Sequence, residues 1–406
     1  MDFTIFYQEQ QKLLNRIDLK TKRYLYSLID FNDRCIGILG QRGIGKTTLM
    51  LQYLKDNFKD SQKALYVSLD NPFFANISLY EFAIEFEQLG GEILFLDEIH
   101  KYNDWSNHIK SIYDGTRIKV VLSGSSVLKI KNSSADLSRR LIVYSMSNLS
   151  FLEYLRLQGI YDSTSYSLEE ILKNHVKIAS IITKDIKILK YFKDYLKFGC
   201  YPFINEGVEL YRYKLINIIN QILESDLPYV TKINYNNVDK LKKLLYIIAI
   251  SVPFEPNISK LANAANLSRP TLIEYIYYLE SAHIINTLSF KVRGYKKIEK
   301  PDKIYLHNSN IMSAVTFESN KGNERETFFI NQIKNYYDNK SDFLKEYILL
   351  SKDGDFIVDN KYVIEIGGKN KTFRQIKNII NSYIASDDIE IGFGNKIPLY
   401  LFGFLY

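Results

Sequence analysis

The sequence is poor in cysteine, proline and tryptophan, and it lacks a long apolar stretch. Its 406 residues include two cysteines, eight prolines and one tryptophan. Two cysteines cannot build a disulfide framework or a cysteine-ligated zinc site. The most apolar run, at 244–254, has about half the length of a membrane-spanning helix, and the polar start of the chain does not fit a signal peptide. These absences predict a cytoplasmic protein without a membrane partner.

Positive charge is only mildly in excess over negative charge. The formal net charge is +7, with 24% charged and 46% hydrophobic residues. This composition is typical of globular proteins, and the length exceeds what one hydrophobic core supports, so we expect several domains. The positive excess permits DNA or another anionic partner but does not require one, because a solvated lysine-rich surface gives the same balance.

Short apolar runs alternate with helical patterns over the first 150 residues. The runs lie at 34–40, 63–70, 92–98, 117–125 and 139–146. Continuous apolar strands separated by helices are what a parallel sheet buried on both faces requires. The sequence therefore predicts an α/β domain at 1–150.

A glycine-rich segment at 40–47, "GQRGIGKT", lies between the first strand and the next helix. It fits the phosphate-binding loop, in which backbone N–H groups surround a phosphate, Lys46 reaches the β- and γ-phosphates and Thr47 binds magnesium. We therefore expect ATP and Mg²⁺ as ligands. The expected nucleotide-binding residues are Gly40, Gln41, Arg42, Gly43, Ile44, Gly45, Lys46, Thr47 and Thr48.

The third apolar run ends in two acids, Asp97 and Glu98. Asp97, at this distance from the loop, would hold Mg²⁺ through a water molecule, so we assign the metal to Thr47 and Asp97. Glu98 would orient and deprotonate the attacking water. An acid at this position favours ATP hydrolysis over a purely structural nucleotide site.

Two later groups of polar residues are candidates for contact with the γ-phosphate. The fourth apolar run ends in serines, of which Ser123 is the expected sensor and Ser125 the alternative. Arg139 or Arg140 would act as an arginine finger. The alternatives are an ordinary serine turn and solvated surface arginines.

Four segments together resemble one family: "GQRGIGKTTLM", "ILFLDEIHKYNDW", "VVLSGSSVLKI" and "ADLSRRLIVYSMSNLSFLEYL". They are similar to prokaryotic AAA-type ATPases of the archaeal-ATPase kind. The resemblance implies a winged-helix module and a C-terminal domain of restriction-endonuclease-like, PD-(D/E)XK fold. Past the two acids, we expect a surface position for His100 and a packing role for Trp105. The alternative is that His100, Lys101 and Trp105 relay the nucleotide state.

The resemblance and the residue patterns together suggest four parts. We expect a P-loop ATPase domain at 1–150, a helical lid at 151–236, a winged helix at 237–315 and a restriction-endonuclease-like domain at 316–406. In the last part, the pattern predicts helix, strand, strand and a closing helix.

The segment 258–288 has the spacing of a helix-turn-helix, whose second helix starts after Ser268. Leucine and isoleucine on one face leave Arg269, Glu274, Tyr275 and Tyr278 outward. Basic residues follow the helix, so the candidate DNA contacts are Arg269, Arg293, Lys296 and Lys297. Docking to a protein or another domain is the alternative.

The segment 362–371, "YVIEIGGKNK", raises the question of a second active site. A hairpin would place Asp355 opposite Glu365, and an upstream helix would add Glu326. Such a site needs a lysine, for which we expect Lys369 to fold back across two glycines. The alternative is an inherited domain that now serves for docking, with its acids solvated.

Taken together, these patterns predict a magnesium-dependent ATPase that acts on DNA or a partner protein, including another copy of itself. An ATP-gated nuclease in genome defence or mobile-element control is a rival hypothesis. A nucleotide-dependent scaffold or switch with little turnover is another.

Overall fold

The structure is a computed structural model of the chain. It describes residues 2–58, 61–127, 137, 139–231, 233, 237–250, 257–290, 301–316, 320–338, 340 and 346–406. The chain divides into two compact units, Met1–Ser147 and Asn148–Tyr406. Within the described ranges, no helix is long and apolar enough to cross a membrane.

The first unit contains a five-stranded sheet in which all neighbouring strands are parallel. Its strands are β1 (Cys35–Gly40), β2 (Ala64–Ser68), β3 (Ile93–Asp97), β4 (Lys119–Gly124) and β5 (Ile142–Met146). Every residue of β1 and β3 is buried, as expected of central parallel strands. The predicted α/β class with a parallel sheet is confirmed.

Helices precede β1 and connect the strands that follow. They are α1 (Thr4–Leu14), α2 (Leu25–Leu28), α3 (Lys46–Asn57), α4 (Leu79–Gln88) and α5 (Trp105–Gly115), with 3₁₀ helices at Pro72–Ala75 and Ile99–Lys101. The Ser78 side chain caps α4 by accepting a hydrogen bond from the Glu81 N–H. Trp105, at the start of α5, is 5% exposed, in keeping with a packing role.

The strand order is β2-β3-β4-β1-β5, so β4 lies between β1 and β3. Because the strands are parallel, the carboxyl ends of all three lie at one edge of the sheet. Ligands of such sheets bind outside the carboxyl ends of the strands. This order therefore brings the glycine-rich loop, the two acids and the serine cluster to one edge.

The second unit begins with helices. They are Phe151–Leu157, Leu168–Asp185, Ile188–Phe198, Tyr211–Gln221, Leu227–Val230, Val238–Ile250, Ile258–Ala265 and Arg269–Ser281, with a 3₁₀ helix at Pro202–Glu206 and a π-helix at Ile222–Asp226. An antiparallel pair follows, β6 (Ile285–Leu288) and β7 (Lys303–Leu306). The helices Ser309–Val315 and Lys321–Tyr337 come next.

A mixed five-stranded sheet completes the second unit, in the order β12-β11-β10-β9-β8. Its strands are β8 (Ile348–Leu350), β9 (Phe356–Val358), β10 (Tyr362–Gly367), β11 (Ser382–Ser386) and β12 (Lys396–Pro398). β8, β9 and β10 pair antiparallel, whereas β10, β11 and β12 pair parallel. The predicted β9–β10 hairpin is confirmed, and its turn residues Asp359 and Asn360 both have φ of 55°.

The predicted closing helix is wrong. Residues 373–378 form turns, and a 3₁₀ helix at Leu399–Phe404 follows β12. All six residues of this 3₁₀ helix are buried. A Cβ at Gly403 would lie 2.4 Å from the Phe151 Cβ, so the close approach of the two segments requires glycine. Tertiary packing, not helical periodicity, determines the conformation of this segment.

Candidate active site

The glycine-rich loop connects β1 to α3. Gly43 and Gly45 have φ of 75° and 98°, values that favour glycine because other residues are strained there. A Cβ at Gly40 would lie 2.3 Å from the Met146 carbonyl oxygen. The helix α3 begins directly after the loop, and the N–H groups of a helix start form an anion site.

The Lys46 side chain lies over this loop. It is 6% exposed, and its Nζ donates to the carbonyl oxygens of Gly40 and Gln41, both at 2.9 Å. Among the other expected nucleotide-binding residues, Gln41 and Ile44 are buried, Arg42 is half-buried and Thr48 is exposed. A buried ammonium beside the loop is well placed for a phosphate oxygen.

Sequence reasoning missed Arg23, which supports the loop from outside. Its guanidinium donates to the carbonyl oxygen of Ile44, and at 2.7 Å to that of Ser147. The polar lead-in gave no signal for this contact, since the pairing depends on tertiary placement.

Asp97 is the centre of the hydrogen-bond cluster at the carboxyl ends of the strands. Its Oδ2 accepts from the Thr47 hydroxyl at 2.6 Å and from the Tyr66 hydroxyl at 2.7 Å. Its Oδ1 accepts from the Ser123 hydroxyl and, at 3.1 Å, from the Glu98 N–H. The structure thus brings together the two expected metal ligands, the expected base and the expected sensor.

Tyr66 is a second residue that sequence reasoning missed. It lies on β2, whose register pairs Ser68 with Asp97, so Tyr66 is two residues from that pair and on the same side of the strand. Burial, reinforced by the Asp97 carboxylate, raises the pKa of the Tyr66 phenol. The hydroxyl therefore stays protonated and donates. A polar aromatic residue in an otherwise apolar strand was the available signal.

Glu98 follows the strand with left-handed backbone angles, φ 54° and ψ 43°. Its Oε2 lies 3.3 Å from the His100 Nε2 and 3.9 Å from an Arg42 guanidinium nitrogen. His100 is 1% exposed, so the expectation of a surface position was wrong. The 3₁₀ turn after β3 directs the ring back toward the sheet edge, beside the carboxylate.

Of the two candidate sensor serines, Ser123 contacts the acids. It is fully buried, donates to Asp97 and accepts from the Glu98 N–H at 3.2 Å. Ser125 is also buried, at 3% exposure. Ser123 therefore holds the two acids in addition to any contact with a phosphate.

Arg139 and Arg140 lie at the other edge of the sheet. β5 pairs with β1 in the register Ile36 to Ile142, which places both arginines level with the amino end of β1. Arg140 forms an ion pair with Asp114 at 2.9 Å, whereas Arg139 is exposed. Neither is placed to reach the phosphate-binding loop of its own chain.

In the second unit, the hairpin brings Asp355 and Glu365 together. The Asp355 N–H donates to the Ile364 carbonyl at 3.1 Å, and the Asp355 Oδ2 accepts from the Ile366 N–H at 2.6 Å. Glu326, on the helix Lys321–Tyr337, accepts from the Tyr305 hydroxyl at 2.8 Å. These acids are not solvated: Asp355 and Glu326 are partly buried and Glu365 is 1% exposed.

Burial raises the pKa of all three carboxyls. For Glu326 the neighbouring Asp355 adds to the effect, and the Tyr305 hydrogen bond opposes it. For Asp355 the Ile366 N–H opposes the effect of burial on the pKa. For Glu365 the Lys371 ammonium opposes it. A cation at this place would relieve the repulsion between these groups.

The prediction that Lys369 is the lysine of this site was wrong. Lys371, not Lys369, forms the ion pair with Glu365, and Lys369 is exposed. The chain turns after Gly367, and a Cβ there would lie 2.6 Å from the Lys371 Cβ. The missing side chain at Gly367 does make room for a lysine, as predicted. The turn places Lys371 there, two residues after the expected Lys369.

One oxygen of this cluster, Glu365 Oε2, is buried and has no hydrogen-bond partner within the part of the chain that the structure describes. A buried carboxylate oxygen without a donor is costly, and a cation or a donated hydrogen bond would satisfy it. Within the same residues, no group of three or more acidic, histidine or cysteine side chains has the arrangement of a metal site. A cation here would need further ligands from outside this set.

The helix Arg269–Ser281 departs from its predicted orientation. Arg269 and Glu274 are exposed, but Tyr275 and Tyr278 are only 3% and 8% exposed. The Tyr278 hydroxyl donates to Glu274, which lets this ring pack against the helix. The three other candidate DNA contacts, Arg293, Lys296 and Lys297, lie outside the described residues.

Comparison with known families gives two matches. Residues 32–155 match the AAA domain family. Residues 189–322 match a domain of unknown function (DUF8612). The first match covers the glycine-rich loop, both acids and all five strands of the sheet. It supports an AAA-type ATPase domain in this part of the chain and implies nucleotide binding.

A similar curated protein is the uncharacterised protein MJ1637 of Methanocaldococcus jannaschii. It is 27% identical over 422 residues, which cover 94% of this chain and 87% of that protein. Its description assigns no activity, so the similarity adds none to this chain.

Three solved structures show weak similarity. AMPPCP-bound DnaA from Aquifex aeolicus is 16% identical and covers 68% of this chain and 88% of its own, with a TM-score of 0.23. The S. cerevisiae Hsp104–ADP complex is 15% identical over 68% and 38%, with a TM-score of 0.28. A katanin structure is 14% identical over 39% and 57%, with a TM-score of 0.24. With scores this low, these structures support no conclusion about the chain.

Proposed function

We propose that the first unit binds ATP together with Mg²⁺ and hydrolyses the γ-phosphate. The observation that carries this proposal is the hydrogen bond from the Thr47 hydroxyl to Asp97, at 2.6 Å. It joins the end of the phosphate-binding loop to the strand that ends in Glu98. The AAA domain match over residues 32–155 supports it independently.

The residues of this cluster fit a magnesium ion. Hydroxyl and carboxylate oxygens are the donors that Mg²⁺ takes from proteins, and Thr47 and Asp97 supply one of each. When bound, the ion would neutralise charge on the β- and γ-phosphates. Tyr66 and Ser123 hold the Asp97 carboxylate from its two oxygens.

The other residues of the site bind the phosphates or act on the attacking water. The loop N–H groups and Lys46 bind the phosphates and orient the γ-phosphate. Glu98 accepts a proton from the attacking water, and Ser123 fixes the Glu98 N–H. The backbone that carries the base is thereby fixed beside the loop.

Two variants test this function. Lys46→Ala should abolish ATP binding, because it removes the buried cation. Glu98→Gln should bind ATP with Mg²⁺ but lower turnover on the order of 10²–10⁴-fold, the usual contribution of a general base. Turnover by Glu98→Gln at the wild-type rate would contradict the base assignment. Negligible wild-type turnover, with assembly that depends on nucleotide, would instead favour a scaffold or switch.

We further propose that the second unit responds to nucleotide state, as a helical lid at 151–236, a winged helix at 237–315 and a restriction-endonuclease-like domain at 316–406. Two helices followed by the antiparallel pair β6–β7 support the winged helix. The mixed sheet beside the helix Lys321–Tyr337 supports the nuclease-like domain.

DNA and a partner protein are the two candidate targets of this unit. A triple variant Arg293→Ala, Lys296→Ala and Lys297→Ala should weaken DNA retention and its salt dependence while ATP turnover stays intact. Wild-type protein that binds no DNA at low salt would exclude this contact and favour a protein partner, including a second copy of the chain.

Metal-dependent DNA cleavage is a second candidate function. It is favoured by the buried, unpartnered Glu365 Oε2 beside an ion-paired lysine. Two acids and a lysine are the groups that such chemistry uses to hold a metal and to steady a phosphate. The absence of a ready metal arrangement among the described residues counts against it.

The cleavage test uses linear, nicked and single-stranded DNA with Mg²⁺ or Mn²⁺, with and without ATP. Glu365→Ala and Lys371→Ala should each remove cleavage, whereas Lys369→Ala is the matched control and should retain it. Cleavage that survives Glu365→Ala would indicate a contaminant or another site. No cleavage under any condition would leave a domain used for docking.

A further inference from the structure

The side chain of Glu98 is held at a place that its backbone alone does not determine. Its backbone N–H donates to Asp97 Oδ1 at 3.1 Å and to the Ser123 hydroxyl at 3.2 Å. These bonds fix the main chain, but they leave the side-chain torsion angles of Glu98 free to change between rotamers. What orients the carboxylate must therefore contact the carboxylate itself.

His100 contacts one of its oxygens. The His100 Nε2 lies 3.3 Å from Glu98 Oε2, within ion-pair distance but without the geometry of a hydrogen bond, and the ring is 1% exposed. His100 belongs to the 3₁₀ helix Ile99–Lys101, which starts directly after Glu98. A buried ring on so short a turn has little freedom to move, so it offers a fixed contact to the carboxylate.

Arg42 approaches the same oxygen from the phosphate-binding loop. One guanidinium nitrogen lies 3.9 Å from Glu98 Oε2, and both side chains are 20% exposed. Arg42 follows β1, whereas Glu98 and His100 follow β3. The carboxylate is thus connected both to its own segment and to the loop that would hold the nucleotide.

We propose that His100 is a positioning residue that orients the Glu98 carboxylate through Nε2, and that Arg42 connects this carboxylate to the phosphate-binding loop. This inference rests on the proposed function, in which Glu98 accepts the proton from water. A base displaced by about 1 Å loses on the order of 10²-fold in rate. His100 acts only through Glu98, so it should affect turnover and not ATP affinity.

A pair of histidine variants tests this inference. In His100→Gln the side-chain amide places an N–H near the position of Nε2, whereas in His100→Asn it places one nearer Nδ1. We expect His100→Gln to retain most of the turnover number, and His100→Asn to lose on the order of tenfold or more. The affinity for ATP with Mg²⁺ should stay within a few-fold of wild type in both. His108→Asn, on the following helix, is the matched control and should leave turnover unchanged.

Equal turnover in the glutamine and asparagine variants, whether retained or lost, would overturn the role of His100. Arg42→Met provides a measurement that does not disturb a buried ring: we expect a lower turnover number with little change in ATP affinity. A change confined to ATP affinity would overturn the role of Arg42.

The Glu98→Gln variant distinguishes a failure of the proposed function from a failure of the inference about His100. If Glu98→Gln turns over ATP at the wild-type rate, the proposed function is wrong about the base. If Glu98→Gln is inactive while His100→Asn turns over normally, only the inference about His100 is wrong.

Discussion

The Asp97 carboxylate accepts hydroxyl hydrogen bonds on both of its oxygens, from Thr47 and Tyr66 on one and from Ser123 on the other. Three hydroxyl donors leave the carboxylate a single orientation. Residues that orient a metal ligand in this way contribute strongly to metal affinity. The three donors come from different segments of the chain, so the fold and not the local sequence assembles them.

Removing the Tyr66 hydroxyl should weaken magnesium binding. We expect Tyr66→Phe to raise the Mg²⁺ concentration for half-maximal ATPase activity on the order of tenfold, because Asp97 loses one donor. The measurement is the ATPase rate against free Mg²⁺ at saturating ATP. Tyr7→Phe is the control, since the Tyr7 hydroxyl also donates a hydrogen bond, at 2.6 Å to the Gln62 carbonyl, away from Asp97. An unchanged magnesium requirement in Tyr66→Phe would contradict this role.

At the scale of elements, the turn between β10 and β11 has its backbone fixed from several sides. The Lys396 Nζ donates to the carbonyls of Lys369 and Lys371, at 2.6 and 3.1 Å. The Ser386 hydroxyl donates to the Gly368 carbonyl at 3.1 Å. These bonds hold the turn in the conformation that presents Lys371 to Glu365.

Lys396 should therefore matter for stability. Lys396→Met keeps the length of the side chain but removes both hydrogen bonds, at about 0.5–1.5 kcal/mol for each. We expect the melting temperature of the second unit to fall by several degrees, at roughly 2–4 °C per kcal/mol. Lys361→Met, at an exposed lysine that pairs with Glu169 at 3.4 Å, is the control and should change little. Equal melting temperatures for both variants would show that the turn does not depend on Lys396.

The acids of the second unit predict a pH-dependent stability. Burial raises the pKa of Glu326, so ionising it costs free energy in the folded state and lowers stability as pH rises through the window between its unfolded and folded pKa. Glu326→Gln removes the charge and keeps an acceptor for Tyr305. We expect it to raise the melting temperature at neutral pH, because the folded state no longer holds this buried charge.

This gain should disappear as the pH falls below the unfolded pKa, where Glu326 is protonated in both states. Thermal unfolding at several pH values measures it. Glu209→Gln, at an exposed position, should show no such difference. A gain from Glu326→Gln that is the same at acid and neutral pH would show that the charge is not its cause.

Elements that are determined by residues close together in the sequence could be predicted from it. The parallel strands follow from continuous apolar runs, and the loop and acids from a motif whose residues are neighbours in sequence. The residues that were missed or misplaced depend on tertiary contacts: Tyr66 contacts Asp97 from the neighbouring strand, and Lys371 contacts Glu365 because of the turn after Gly367. His100 is buried within the 3₁₀ helix that follows β3, a position that apolar periodicity does not predict.

At the scale of the whole molecule, the position of Arg139 and Arg140 determines which nucleotide they can contact. β1 and β5 run parallel from a common edge, and Arg140 pairs with Asp114 there. At ~3.3 Å per residue, the length of β1 puts roughly 20 Å between this edge and the phosphate-binding loop. If Arg139 or Arg140 contacts a γ-phosphate, the nucleotide must therefore belong to another copy of the chain.

Mixing two inactive variants tests this arrangement. The double variant Arg139→Ala, Arg140→Ala should keep ATP affinity and lose on the order of 10³-fold in turnover, the lower range for an arginine finger. Lys46→Ala has both arginines but binds no nucleotide. If the arginines act between copies, an equimolar mixture should turn over ATP faster than the sum of its separate components, because some double-variant sites gain an arginine from a Lys46→Ala neighbour.

The matched control is a mixture of Lys46→Ala with Glu98→Gln. Every nucleotide-binding site in that mixture lacks the base, so no arrangement of copies can restore turnover. Recovery in the first mixture and none in the second would place the arginines at a site shared between chains. Wild-type turnover by the double arginine variant would instead show that both side chains belong to the solvated surface, because a finger contributes through charge that no other residue of the variant replaces.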